Sequence, residues 1–268
     1  MPFSRRAEEF RRELERARIL VTEGRPDWYP YDSLSNFHLI DRLMDMAGLE
    51  NETLLAAGPA LDIGCADGDV SFFLESLGAD VDAVDHPTTN YNGMKGVQAL
   101  RKTLASRVRV YERDLDSRFE LPLSRYGICL ALGLLYHLKN PFYFLETLAA
   151  HADYCFLSTR VARYFPPAKV SIELVPAAYL AAPGETNRDD TNFWIFSDAG
   201  LKRLLARTNW TILAYIHSPE VEKSDPVRAD RDERAFCLLR SGRQSVHVDE
   251  PASDKAVSRI RRYFRRSS

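Results

Sequence analysis

One stretch constrains this chain more than any other: Ala60-Leu61-Asp62-Ile63-Gly64-Cys65-Ala66-Asp67-Gly68-Asp69. An apolar run short enough for a strand passes into a tight turn of small residues and then into a helix start. Small residues let a backbone approach a ligand closely, and a helix N-terminus offers unpaired N–H groups. Twenty-three residues beyond Asp62, at the end of the next apolar run, stands Asp85. A carboxylate there accepts hydrogen bonds from both hydroxyls of a ribose, the arrangement of nucleotide-binding βαβ units.

The rest of the chain extends this unit. Strand candidates are residues 59–63, 80–84, 107–111, 126–132, 154–158, 211–216 and 234–239, with helix candidates at 69–77, 94–106, 141–151 and 198–208. Strands alternating with helices of this length predict an α/β fold with a mostly parallel sheet of seven strands. Residues 218–232 join the last two strands without a helix, so the last strand is expected to be antiparallel.

Residues 1–54 read as an N-terminal helical cap. It opens with a charged helix over 4–21, whose thin apolar stripe is Phe10, Leu14, Ala17, Leu20 and Val21. A break at Gly24-Arg25-Pro26 and the aromatics Trp28, Tyr29 and Tyr31 follow, then a second helix capped by Ser33 or Ser35 and running to Gly48. The main domain spans 55–241, with a proline- and aromatic-rich lid inserted at about 160–196. Residues 242–268 form a basic tail with seven Lys and Arg against three Asp and Glu.

Composition narrows the class. The 268 residues hold 36 Lys and Arg against 38 Asp and Glu, and 45% are apolar, which excludes collagen-like, mostly disordered and supercharged chains. Cys65, Cys129, Cys155 and Cys237 form no CxxC or Cys/His cluster. No metal is expected, and the cysteines read as small hydrophobes of a reducing, cytoplasmic protein. No apolar run approaches the roughly 18 residues that cross a bilayer, and the N-terminus lacks the apolar stretch of a secretory signal. Nothing in the sequence sets the oligomeric state.

The ligand class follows from what the turn lacks. The dinucleotide pattern G-x-G-x-x-G needs glycine where Ala66 and Asp69 stand. Carboxylates at Asp62, Asp67 and Asp69 oppose a pyrophosphate and suit a cationic sulfonium. On these residues the chain resembles the class I S-adenosylmethionine-dependent methyltransferases. Asp62 to Gly68 looks like their first motif, with Ala66 where a further glycine is usual. Asp85 matches their ribose-binding acid, and Asp114-Leu115 the position that recognises adenine. Leu132-Gly133-Leu134-Leu135-Tyr136-His137 matches the segment lining donor and substrate.

The resemblance covers roughly residues 55–240 and implies a Rossmann-like fold with S-adenosyl-L-methionine as cofactor. The residues it implies for donor binding are Asp62, Gly64, Cys65, Ala66, Gly68, Asp85, His86, Asp114, Leu115, Leu132 and Gly133, although His86 also suits a plain loop. A narrower resemblance rests on Trp28-Tyr29-Pro30, Gly133 to His137 with Asn140-Pro141, and Phe196-Ser197. These are similar to the tRNA wobble-uridine (carboxy)methyltransferase-like family. Its tRNA enzymes hold the extra carboxylate of a carboxylated donor with basic and tyrosine side chains. Residues 26–40 contain no Lys or Arg, so plain methyl transfer is expected.

Methyl transfer from a sulfonium is an in-line displacement with its leaving group already in place, so alignment and desolvation are the protein's main contribution. An oxygen or ring nucleophile also needs a proton removed, and His137 at a strand end is the candidate base. Tyr136 is the candidate for orienting the substrate. Substrate-binding candidates are Tyr91, Asn92 and Arg160, with Asn192 and Trp194 from the lid. Asn92 equally suits a turn, and Arg160 a surface position. Aromatics interleaved with arginines over 259–266 suit nucleic acid or an anionic membrane surface. The expected acceptor is a small molecule or glycan precursor. A tRNA acceptor, with methyl or carboxymethyl transfer, and a non-catalytic binding module built on the donor fold are the alternatives.

Overall fold

Side-chain alternation along the strands decides which helices cover which face of the sheet. In the computed structural model, which describes residues 1–22, 24–165 and 170–242, β1 (Ala60–Ile63), β2 (Val81–Asp85), β3 (Arg109–Glu112), β4 (Tyr126–Leu132) and β5 (Ala152–Val161) pair in parallel in the order β3-β2-β1-β4-β5. β1 is buried along its whole length, as a central parallel strand covered on both faces must be. Ala60, Ile128 and Leu130 pack into one apolar cluster, while Leu61, Ile63, Cys129 and Ala131 pack into the other.

The first cluster is roofed by α1 (Phe3–Leu20), α2 (Phe37–Ala47), α4 (Asp69–Ser76) and α5 (Lys95–Thr103). α1 buries Phe3, Ala7, Phe10, Leu14 and Ala17, and Phe3, Phe10 and Phe37 all meet Phe73 of α4 ring against ring. The N-terminal helices therefore share the core of the sheet. The second cluster lies under α6 (Pro141–His151) and α7 (Asp198–Arg207). Pro141 opens α6 at a position where the missing N–H costs nothing, and the Ser197 hydroxyl caps α7 by accepting from Gly200 N–H at 3.0 Å.

The sheet closes with β10 (Trp210–His217) and β11 (Glu233–Ser241). β11 lies between β5 and β10 and runs antiparallel to both, as the loop without a helix predicts. That loop does hold one short 3-10 turn, Ala229–Arg231.

Three local expectations are corrected. The second N-terminal helix begins with a 3-10 turn, Ser33–Asn36, and its cap is Asp32, whose carboxylate accepts from Leu34 and Ser35 N–H; neither Ser33 nor Ser35 is the cap. A further helix, α3 (Asn51–Ala56), precedes β1. β5 runs three residues beyond its expected end, which puts Arg160 inside the sheet.

The expected lid segment contains two antiparallel strand pairs. One pairs β6 (Tyr164–Phe165) with β7 (Val170–Ser171). The other pairs β8 (Ala178–Leu180) with β9 (Trp194–Phe196), and β9 joins the main sheet in parallel through Val161 and Phe196. The basic tail expected over 242–268 lies outside the described residues from 243 onward. Among the described residues no helix is long and apolar enough to cross a membrane.

Candidate functional site

The turn after β1 needs small residues for two reasons. Gly64, Ala66 and Gly68 have φ of +77°, +50° and +84°, a region that side chains disfavour. Space is short as well: a Cβ on Gly68 would stand 2.7 Å from Val97 Cγ2, and one on Gly64 would stand 3.0 Å from Leu134 Cδ2. Ala66 holds the left-handed conformation without being glycine, at a cost of about 1 kcal/mol.

Asp85, at the end of β2, ties that turn together. Its Oδ2 accepts from Ala66 N–H at 2.8 Å and from Asn90 Nδ2 at 2.9 Å, and its Oδ1 accepts from His86 N–H at 2.7 Å. Asn90 also donates to the Ala66 carbonyl at 3.3 Å. Burial raises the Asp85 carboxyl above the ordinary range despite these donors. His86 contributes a backbone carbonyl to the following turn, accepting from Thr89 and Asn90 N–H.

The other three carboxylates of the motif have separate surroundings. Asp62 points into the first cluster, where Ser71 Oγ of α4 donates to it at 2.5 Å. Complete burial pushes its carboxyl up to about 7. Asp69, at the start of α4, takes a two-pronged contact from Arg18 of α1 at 2.7 and 2.8 Å. Asp67, 2% exposed, accepts from Tyr29 N–H and Asn92 Nδ2, each at 2.7 Å. Asp67 and Asp69 are thus taken up in binding the N-terminal segment to the motif, with the Arg18 guanidinium also over the Trp28 ring.

The facing wall is the segment after β4. Gly133, at φ +72°, has room for close approach, and a Cβ there would lie 3.7 Å from Arg234 Nη1 and 3.8 Å from Tyr136 Oη. Arg234, on β11, donates to Tyr136 Oη at 3.2 Å and places its guanidinium over the Tyr136 ring. Burial drives the pKa of the Tyr29 phenol far up, with the Asp85 carboxylate adding to the rise and the Arg234 guanidinium opposing it. The Tyr136 and His137 rings meet at a tilt of 42° with centroids 4.2 Å apart. His137 Nδ1 lies 2.9 Å from Thr191 Oγ1, and burial lowers the pKa of its ring.

The remaining sequence candidates are distributed as follows. Cys65 is buried in the turn, and burial pushes its thiol well up. Leu132 packs against the first cluster, and Leu115 is buried in the second. Asp114 is exposed just past β3 and accepts from Asp116 N–H at 3.0 Å. Tyr91 is exposed at the rim, edge-on to Tyr29. Asn92 is engaged on both ends of its amide: Nδ2 donates to the Asp27 carbonyl and to Asp67, and Oδ1 accepts from Gly96 N–H.

Arg160 is not a surface arginine: it is 1% exposed, and Nη2 donates to the Asp225 and Arg228 carbonyls. Asn192 is buried with Nδ2 on the Thr186 carbonyl, and Trp194 donates from Nε1 to the Lys139 carbonyl at 3.2 Å. Sequence reasoning passed over Arg234, Asp189 and Thr191, read Asn90 as a turn former alone, and saw Tyr29 only in an aromatic run and in the Trp28-Tyr29-Pro30 resemblance. Arg234 is 98 positions from Tyr136, and only the pairing of β11 with β5 brings it near. Asn90 carried the one legible signal, a turn-forming residue five positions after Asp85. Among the described residues no group of three or more His, Cys, Asp or Glu is placed to hold a metal ion.

Comparison with known proteins gives this geometry a context. The model of the tellurite resistance protein TehB family, a class I S-adenosylmethionine-dependent methyltransferase family, matches residues 44–132, from the end of α2 through β4. A comparison with curated proteins returns no match. The N-terminal domain of EvdMO1, solved with SAH bound, is 17% identical with a TM-score of 0.52, covering 87% of this chain and 97% of its own. The [4+2]-cyclase SpnF is 14% identical with a TM-score of 0.50, covering 81% of this chain and 87% of its own. A protein of Bacillus halodurans C-125 is 14% identical with a TM-score of 0.52, covering 74% of this chain and 96% of its own. The sheet order, the antiparallel β11 and these likenesses agree on one architecture.

Proposed function

We propose that this chain, which has the architecture of the class I S-adenosylmethionine-dependent methyltransferases, transfers a methyl group from S-adenosyl-L-methionine to a small-molecule or glycan-precursor acceptor. The observation that carries the reading is the convergence of the Gly64–Gly68 turn, the Asp85 carboxylate and the Gly133–His137 segment at the C-terminal ends of the adjoining strands β1, β2 and β4. Open α/β sheets bind their ligands at that end. Gly64, Ala66 and Gly68 would hold the donor by close backbone approach, and Asp85 by its carboxylate. When bound, the donor supplies an activated methyl on a sulfonium. The protein's own contribution is to align the acceptor and exclude water, with Tyr136 and His137 on the acceptor side. A sugar-like acceptor draws support from EvdMO1, whose N-terminal domain was also crystallised in the presence of SAH and D-fucose.

The fold does not decide this alone, since SpnF shares it and is a [4+2]-cyclase. Titration calorimetry with S-adenosylmethionine and SAH is expected to show binding of both; binding of neither refutes the reading. Labelled-methyl transfer to a metabolite extract, run beside bulk tRNA, is expected to label the extract, and label confined to RNA would establish the tRNA alternative. The Arg234–Tyr136 pair favours a second reading, a carboxylated donor. Arginine and tyrosine there match the side-chain types that the wobble-uridine resemblance implies for a donor carboxylate, with the arginine supplied from β11 and the tyrosine from the segment after β4 instead of residues 26–40. Competition between plain and carboxylated donor in the same calorimeter separates the two.

A further inference from the structure

The lid loop bears on His137 through two side chains that no motif marks. Thr191 N–H and Thr191 Oγ1 both donate to Asp189 Oδ1, at 2.8 and 2.6 Å. With its single proton directed to the carboxylate, the hydroxyl can act toward His137 Nδ1, 2.9 Å away, only as an acceptor. The Thr191 carbonyl, 3.2 Å from the same nitrogen, is also an acceptor. Two acceptors facing one ring nitrogen require that nitrogen to carry the hydrogen. In the neutral ring Nε2 is then bare, and it has no hydrogen-bond partner among the described residues.

The loop itself is held on both sides of Thr191. Asn192 Nδ2 donates to the Thr186 carbonyl at 2.9 Å, and Phe193 N–H donates to the Tyr136 carbonyl at 2.8 Å. The groups that face His137 are Asp189, whose Oδ2 is 4.0 Å from Nδ1, the tilted Tyr136 ring, and Arg234, whose charge acts on His137 from β11. Asp189 favours the protonated ring, and Arg234 and burial oppose it.

We infer that Asp189 and Thr191 are positioning residues that fix His137 as the Nδ1–H tautomer, so that Nε2 accepts the proton of a hydroxyl-bearing acceptor; this rests on the methyltransferase reading. In the step, the acceptor oxygen forms a bond to the methyl carbon as the carbon–sulfur bond breaks. That electron pair stays on sulfur and neutralises the sulfonium, and the hydroxyl proton passes to Nε2. The positive charge thus moves from donor to imidazole, where Asp189 is placed to stabilise it.

Nitrogen-15 NMR of the histidine ring tests the assignment without needing the acceptor. The wild-type protein is expected to show a protonated Nδ1 and a bare Nε2 in its neutral form. Asp189→Asn is expected to lower the His137 titration midpoint by about one pH unit, through loss of an opposite charge within reach. Thr191→Val should mix the tautomers and Thr191→Ser should restore them. An Nε2–H tautomer in the wild type overturns the inference, as does a tautomer and midpoint unmoved by both Asp189→Asn and Thr191→Val. The rate of labelled-methyl transfer into extract is expected to fall on the acid side at the NMR midpoint and to follow it in Asp189→Asn, and a rate without that limb overturns the base role. Absence of donor binding in the calorimeter would instead strike the methyltransferase reading, leaving the tautomer result to stand by itself.

Discussion

Asp62 offers a test of the site's electrostatics that needs no ligand. Its carboxyl is fully buried, receives one side-chain donor from Ser71, and is pushed from an ordinary value of 3.8 to about 7. A raised carboxyl pKa means that the folded state binds more protons than the unfolded one. Stability contributed by the neutral form is therefore complete below the unfolded value and is lost as pH rises toward 7. The full difference amounts to about 4 kcal/mol, and the part falling between about pH 5 and pH 8 is about 2–3 kcal/mol.

Asp62→Asn keeps the shape and removes the titration. Its buried amide brings a desolvation cost, roughly 1–3 kcal/mol, which does not depend on pH and so cancels from the slope. Titrating groups remote from Asp62 are common to both proteins and cancel as well, while Asp85 and Asp69, whose charges add to the burial of Asp62, are coupled to it and contribute a smaller part of the slope. The assay is urea unfolding of the two proteins across that range. The difference in unfolding free energy, wild type minus variant, is expected to fall by about 2–3 kcal/mol from the acid to the alkaline end. A difference that stays flat means that Asp62 is ionised throughout, and the reasoning from burial fails.

Other changes probe the motif and its support. Gly68→Ala must hold a positive φ and press a methyl against Val97 and Phe72, and should lower stability by about 2–5 kcal/mol in the same unfolding assay; a neutral result would show that α4 and α5 can shift apart. Arg18→Leu leaves Asp69 and Asp67 buried without their cation, for an expected loss of about 2–4 kcal/mol, and a loss below about 0.5 kcal/mol would mean that the latch is a surface pair. Asp85→Ala is expected to weaken donor binding about 10- to 100-fold by calorimetry, and unchanged affinity removes Asp85 from the ribose site.

Much of the architecture was legible because its causes are local. The apolar runs at β4 and α6 gave their bounds directly, since Tyr126 to Ala131 is a continuous buried run that Leu132 closes half-buried, and Pro141 opens a helix by its fixed φ. The turn after β1 was legible for the same reason: Gly64 and Gly68 answer a demand for positive φ that lies within five residues. The helix α3 escaped because six residues carry little periodic signal. The cap at Asp32 escaped because the neighbouring serines offer the same chemistry.

What the sequence by itself determined, then, is the alternation of strand and helix, the tight turn after β1 and the acid at the end of β2, because backbone sterics and side-chain period act over a few residues. Only the tertiary structure decided which charges face the site and which are consumed elsewhere. Arg18 reaches 51 positions to neutralise Asp69, Asp67 turns to Tyr29 and Asn92, and Arg160, opposite Arg234 in the β5–β11 register, ends in the interior while Arg234 meets Tyr136. Charge interactions act through space over several ångströms regardless of chain separation, so the roles of identical side chains are assigned by the packing that brings them together.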